Sequence, residues 1–189
     1  ALGQDHTYAT QEQQLGSGHA LLQAKPKKEI PSQLALVVNG DLPLVRATTL
    51  QRLMAIHVEG RCAMSLLTCE GGKAVGLGRI QRDLAGRVVA ITEWADTNEE
   101  QRRQREINVG AYCFKTDWLW SVLPKLQPSH GGEIYLTDLL ALARSAGLPI
   151  GSIRIDDRPT ALPPSGPNPQ VLLAQSFLTE PRLGLRIAR

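Results

Sequence analysis

Residues 34–38 read Leu-Ala-Leu-Val-Val, an apolar run with no polar interruption. A strand with one wet face alternates apolar and polar side chains, so an unbroken run belongs to a strand covered on both faces, as in a parallel sheet. The run therefore calls for an α/β architecture with helices on each side of a sheet. Asp41 follows at its carboxyl end, and open α/β sheets bind ligands just beyond the carboxyl ends of their strands. That position favours a functional carboxylate over a turn-forming Asx residue ahead of Leu42 and Pro43.

The remaining segments alternate in the same manner. Residues 47–57 place Leu50, Leu53, Met54 and His57 at helical spacing, with Thr48 or Thr49 as the cap. Residues 62–69 predict a second buried strand, and residues 86–94 a third after a turn at Gly86. The polar stretch 95–106 predicts an exposed loop or a short solvated helix. Residues 107–115 predict a strand interrupted at Gly110, where a bulge or a close backbone approach is expected. A helix carrying Trp118, Leu119 and Val122 follows, capped by Thr116 or Asp117 and limited by Pro124. Residues 131–147 hold a second amphipathic helix with Leu139, Leu140, Leu142 and Ala143, closed by Gly147 in the left-handed conformation. A strand is expected over 148–155, a proline-rich loop or linker over 156–169, and helical spacing over 170–184 until Pro181 interrupts it.

Composition bounds the function. A chain of 189 residues, 42% of them hydrophobic, supports one core. Lys and Arg number 21 against 18 Asp and Glu, a dispersed net charge of +3 that lacks the basic stripe of a nucleic-acid binder but leaves an anionic small molecule open. Cys62, Cys69 and Cys113 are odd in number and lack C-x-x-C spacing, which suggests reduced thiols in a cytoplasmic protein. No apolar run reaches the roughly 20 residues that cross a bilayer, so a membrane partner is not expected. His6, His57 and His130 show no metal-ligand spacing. The chain begins at Ala1 without methionine, which suggests that it starts partway through a gene product.

Two segments point to chemistry. In Gln-Glu-Gln-Gln-Leu-Gly-Ser-Gly-His-Ala, residues 11–20, the glycines let the backbone approach a flat ligand. A bare Gly-Ser-Gly run also reads as a flexible turn, and His19 within it reads as a residue that caps or packs the following helix. The second segment is the strand ending on Asp41, and together the two suggest a nucleotide site.

The motifs QLGSGHA, NGDLPL, GLGRI, ITEW, EINVGAYCF, GEIYLTDLLALA and GPN occur in this order over almost the whole chain. In series they resemble the uridylyltransferase domain of bacterial UDP-N-acetylglucosamine pyrophosphorylases. The resemblance implies a Rossmann-like, GT-A-like nucleotidyltransferase fold, a mostly parallel sheet with flanking helices. It implies transfer of a uridylyl group from UTP to N-acetylglucosamine 1-phosphate, giving UDP-N-acetylglucosamine and pyrophosphate for cell-wall synthesis. It assigns Gln11, Gly16, Ser17 and Gly40 to UTP, and Gly78, Glu93, Asn108, Tyr135 and Thr137 to the sugar. Asp41 and Asn168 would hold Mg²⁺, a hard cation that takes one or two protein oxygens and completes its shell with phosphate and water. That pairing requires the proline-rich loop to fold back over the strand end.

The resemblance also carries departures. Ser17 stands where threonine is usual, Trp94 and Ala95 where more polar residues are common, and Pro169-Gln170 where Asn-Arg is usual. The family's opening strand, its glycine-rich L-A-A-G-x-G-T-R-M loop and a nearby lysine would precede residue 1, so no catalytic residue is assigned. Residues 1–165 then form a partial nucleotidyltransferase domain, and residues 166–189 a closing metal-site loop with a C-terminal helix or linker. Little turnover is expected of this chain alone. A homo-oligomer is left open for the full-length protein. Two alternatives stand beside this reading: another sugar-1-phosphate nucleotidyltransferase, and a noncatalytic fragment that binds nucleotide sugars.

Overall fold

The unbroken run at 34–38 forms strand β2, Leu34–Asn39, and its side chains divide between two cores. Ala35 and Val37 enter one core, Leu36 and Val38 the other. Each fully buried Val or Leu contributes roughly 1.5–3 kcal/mol, so a charge on either face of this strand would open a core. In this computed structural model residues 7–26, 32–42, 45–71, 75–129, 131–155, 172–177 and 184–188 are described, the last two segments by backbone pairing alone.

The strands in chain order are β1 Thr7–Thr10, β2, β3 Met64–Glu70, β4 Arg79–Arg82, β5 Val88–Thr92, β6 Glu106–Lys115, β7 Ile150–Ile155, β8 Leu172–Phe177 and β9 Gly184–Ala188. They make one nine-stranded sheet in the order β1-β9-β8-β2-β6-β3-β7, with the β4–β5 hairpin attached to β6 through Arg79 and Ile107. The α/β class holds, but β2 pairs antiparallel with both of its neighbours, β6 and β8, rather than in the parallel manner its apolar run suggests. Parallel pairing joins β3 to β7 and β1 to β9, whereas the long strand β6 runs antiparallel to β2 and β3.

Helices cover both faces. Helices α1 (Ser17–Gln23), α4 (Thr116–Val122) and α5 (Leu139–Ser145) pack Leu21, Leu119 and Leu139 against Val37, Leu66 and Phe114. On the other face α2 (Ala47–Glu59) packs Leu53 against Leu36, Leu67 and Ile153. Also on α2, His57 is buried with Nδ1 3.0 Å from the Ser65 hydroxyl, and burial lowers its pKa to about 4. The free thiols Cys62, Cys69 and Cys113 are buried.

Several local expectations are corrected. No side chain caps α2, whose first turn begins at Ala47 behind Arg46, so Thr48 and Thr49 lie inside the helix. Neither Thr116 nor Asp117 caps α4, because the Thr116 amide donates to the carbonyl of Gln33 at 3.0 Å. A tertiary partner thus replaces the local cap. Within the helix expected over 170–184, Leu172–Phe177 is instead strand β8, paired antiparallel with β2 from Leu34–Phe177 to Asn39–Leu172, and Gly184 opens β9; the other residues of that stretch lie outside the described ones. Short apolar runs do not distinguish helix from strand, and the open edge of β2 decides the matter. The polar stretch 95–106 holds the one-turn helix α3, Glu99–Arg102, closed by reciprocal bonds between Asn98 and Gln101. Pro124 ends α4 at Val122, and Gly147 takes φ +66° behind α5, both as expected.

Gly110 lies within a continuous ten-residue β6 and carries the expected irregularity. Between Leu66–Tyr112 and Thr68–Asn108 the β3–β6 ladder advances by two residues on β3 and four on β6. Gly110 takes φ +87° there, and a Cβ on it would lie 2.4 Å from the Asn39 side-chain nitrogen. The bulge thus sets β6 tightly against the end of β2, just before Asp41.

Candidate functional site

The loop after β1 is built around a side chain that the backbone holds. Gln11 is buried, and its Nε2 donates to the Gly16 carbonyl at 3.1 Å and lies 2.8 Å from His19 Nδ1. Gly16 has φ +94°, and a Cβ there would sit 2.6 Å from the Ile134 carbonyl oxygen, so this position requires glycine. Ile134 clasps the loop from both sides: its amide donates to Leu15 O at 2.8 Å and its carbonyl accepts from Gly18 N at 2.8 Å. The Ser17 hydroxyl accepts from the Leu136 amide at 3.0 Å, leaving its own proton to donate.

The same segment, one turn further, reaches the second group of residues. A 3₁₀ turn over Leu136–Asp138 presents Thr137, whose hydroxyl donates to Glu93 Oε1 at 2.7 Å. Burial raises the Glu93 pKa; the Thr137 hydrogen bond opposes this, and the charges of Asp138, Asp96 and Glu133 add to the rise. Gly78, just before β4, accepts from the Asn108 amide at 2.9 Å. A Cβ on Gly78 would lie 3.4 Å from Glu93 Oε2 and 3.1 Å from Ile91, so the bare backbone leaves room beside the carboxylate. The Asn108 side chain donates from Nδ2 to the Tyr112 hydroxyl at 2.6 Å and accepts from the Gly110 amide at 3.2 Å. Tyr135 is half-buried at the head of the 3₁₀ turn, and burial raises its pKa.

Asp41 sits half-buried in the turn after β2, with Gly40 half-buried beside it. Tyr112 lies between this turn and the Glu93 group: burial raises its pKa first, the charge of Glu93 adds to the rise, the Asn108 hydrogen bond opposes it, and the charge of Asp41 adds a smaller rise. Asn168 lies outside the described residues. Among the described residues no group of three or more His, Cys, Asp or Glu side chains is arranged to hold a metal ion. Asp41 nevertheless offers an oxygen donor of the kind a hard cation takes.

Three residues of this region take roles that the sequence did not assign to them. Tyr112 anchors Asn108; four positions apart on one strand face, the two could have been paired from the period of two. His19 does not cap the helix; it meets Gln23 one turn along it and bonds the Gln11 side chain, a through-space contact with no sequence signature. Arg79, fully buried, lays its guanidinium 4.7 Å from the Trp94 ring centroid, with Arg102 at 5.1 Å. Burial lowers the Arg79 pKa, and the stacking fixes the turn immediately behind Glu93.

The chain belongs to the nucleotidyl transferase family, whose model matches residues 2–157. Within that family it is similar to the bifunctional protein GlmU of several bacteria. It is 42% identical over 147 residues to that of Brevibacillus brevis, covering 77% of this chain and 32% of the relative. Identity to the Syntrophotalea carbinolica protein is 40% over 171 residues, 90% of this chain and 36% of the relative. The chain spans about a third of the length of these curated relatives. The matches bear out the family resemblance read from the motifs. In fold alone the chain is also like UDP-glucose pyrophosphorylase complexed with UDP-glucose, with a TM-score of 0.55 at 20% identity, covering 74% of this chain and 54% of that one. Among the described residues no helix is long and apolar enough to cross a membrane.

Proposed function

We propose that this chain supplies the base-reading and sugar-reading part of an enzyme that transfers a uridylyl group from UTP to N-acetylglucosamine 1-phosphate, releasing pyrophosphate. The observation that carries the reading is the clasp at Ile134 to Thr137. It joins Gln11, Gly16 and Ser17 to Glu93 and Thr137 through direct hydrogen bonds. Gly78 and Asn108 adjoin Glu93 from β4 and β6. A base and a sugar joined by a diphosphate need such a paired site.

The roles follow from the groups. The Gln11 amide and the backbone at Gly16 and Ser17 read the polar edge of uracil, and Gly40 lines the nucleotide side. Glu93, held by Thr137, accepts from sugar hydroxyls; the Gly78 backbone, Asn108 and Tyr135 complete the sugar wall. A sugar phosphate is already nucleophilic, so the protein's task is to align it with the α-phosphorus and offset charge as pyrophosphate leaves. Asp41 and Asn168 are the residues proposed to hold Mg²⁺, which when bound offsets the charge of the phosphates. The domain boundary near residue 165 and a cytoplasmic location, which the buried free thiols favour, belong to the same proposal, as does a role in cell-wall precursor synthesis.

Titration calorimetry of the 189-residue chain with UDP-N-acetylglucosamine, UDP-glucose and GDP-mannose tests the reading. The first is expected to bind tightest, and preference for the guanosine ligand would overturn the assignment. A pyrophosphate-release assay with UTP and N-acetylglucosamine 1-phosphate is expected to show little turnover, since the triphosphate loop of the resemblance falls outside residues 1–189. Robust turnover would refute that part.

A further inference from the structure

The Gln11 amide is fixed in one of its two flips. Its terminal nitrogen lies 3.1 Å from the carbonyl oxygen of Gly16, and a carbonyl only accepts, so the atom facing it must be the hydrogen-bearing one. The same nitrogen lies 2.8 Å from His19 Nδ1. With one hydrogen on Gly16 O, the second goes to Nδ1, which must then be the unprotonated ring nitrogen. The ring proton then sits on Nε2; the exposed Gln23 amide, whose nitrogen lies 3.1 Å from Nε2 and 3.3 Å from the His19 carbonyl, must turn that nitrogen away and present its oxygen, a smaller cost than losing the shorter, part-buried Gln11 contact. Both hydrogens of the Gln11 amide are therefore committed within the protein. Its Oε1, an acceptor only, is the group left for a ligand.

We infer that His19 is a positioning residue that holds Gln11 as an acceptor and thereby sets preference for uracil over cytosine. This rests on the base site proposed above. Uracil carries a hydrogen on N3 that can be donated to Oε1. Cytosine carries a lone pair on N3, so it meets Oε1 acceptor to acceptor, an arrangement that leaves two polar atoms unpaired. Discrimination of this kind is large because the mismatched ligand leaves a buried group unsatisfied. Without His19 the flip is held by the Gly16 bond alone, so turning the amide nitrogen to a cytosine N3 costs one hydrogen bond within the protein rather than two. The pairing thus acts at a distance from the ligand: His19 touches Gln11, and Gln11 touches the base.

The test is equilibrium binding of UDP and CDP to the chain and its variants, read as the ratio of the two affinities. The unsubstituted protein is expected to favour UDP. His19→Phe keeps the ring and removes the acceptor, and the UDP-to-CDP ratio is expected to fall about tenfold, the worth of one hydrogen bond. His19→Asn places Oδ1 where Nδ1 stood and is expected to restore the ratio. A structural role for His19 would lower both affinities together and leave the ratio unmoved. An unchanged ratio in His19→Phe overturns the inference, and so does a lowered ratio that His19→Asn fails to restore. Should His19→Phe not fold, His19→Gln, whose acceptor lies one bond further out, is compared with His19→Asn: the ratio falls in the first and holds in the second, and equal ratios overturn the inference. Absence of any uridine preference in the unsubstituted protein would instead remove the base-site reading itself.

Discussion

Acid is expected to destabilise this protein through His57, and the size of the effect follows from its burial. The imidazole lies under α2 with Nδ1 3.0 Å from Ser65, nearly without solvent contact, and its pKa falls from 6.5 to about 4. Between those values the unfolded chain binds a proton that the folded chain refuses, so stability rises with pH. The contribution is complete above pH 6.5 and is lost as pH falls toward 4, with no further loss from this group below that. At about 1.4 kcal/mol per pH unit, roughly 2 kcal/mol is lost by pH 5 and about 3 kcal/mol by pH 4. Carboxylates titrate in the same range, so the measurement is a difference. Urea unfolding between pH 7.5 and 4 is followed for the protein and for His57→Asn, whose Oδ1 can keep the bond to Ser65 without titrating. The variant is expected to be less stable at neutral pH but flatter toward acid, with the two curves closing by 2–3 kcal/mol on this scale. Parallel curves would refute the assignment of a buried neutral imidazole.

Other perturbations address the site directly. Gly110→Ala forces a side chain into φ +87° and against Asn39; a loss of about 1–3 kcal/mol in urea unfolding is expected, with weaker UDP-N-acetylglucosamine binding measured by calorimetry. Thr137→Val removes the hydroxyl that donates to Glu93, so the Glu93 pKa rises further and nucleotide-sugar affinity falls about tenfold. The affinity loss on acidification then begins at a higher pH in the variant, and superposable pH profiles would exclude Glu93 as the titrating group. Tyr112→Phe strips Asn108 of its partner at 2.6 Å; roughly 1–3 kcal/mol of stability is expected to go with it, read from denaturant midpoints. Asp41→Asn is expected to abolish the Mg²⁺ dependence of UTP binding, and a dependence that survives would dismiss Asp41 as a ligand.

The sequence was most legible where one strand met two cores. The run at 34–38 has no polar position because Ala35 and Val37 face one set of helices while Leu36 and Val38 face another. It was least legible at 172–177, where Leu-Leu-Ala-Gln-Ser-Phe suits a helix by spacing but pairs with β2 because that edge is open to it. The short β4 strand, Arg79–Arg82, left no period to read. Of the candidate site, Gly16, Ser17, Glu93 and Thr137, taken up from motif order, are gathered by one segment. Which side chain orients which was not available from order. Tyr112 on Asn108, His19 on Gln11 and Arg79 on Trp94 are contacts made only after the chain has folded.

Ile134 gives and takes one backbone hydrogen bond with the same loop, and three residues later Thr137 grips Glu93. With the proposed base and sugar sites on its two sides, a half-ligand settling on either is expected to stiffen the strap serving the other. Uridine and the amino sugar, offered as separate fragments, should each sharpen the other's affinity, and a dinucleotide-like molecule whose two ends are spaced differently from a sugar diphosphate should lose that cooperation. On the proposed site assignment, the strap would gauge molecular length as well as chemical identity.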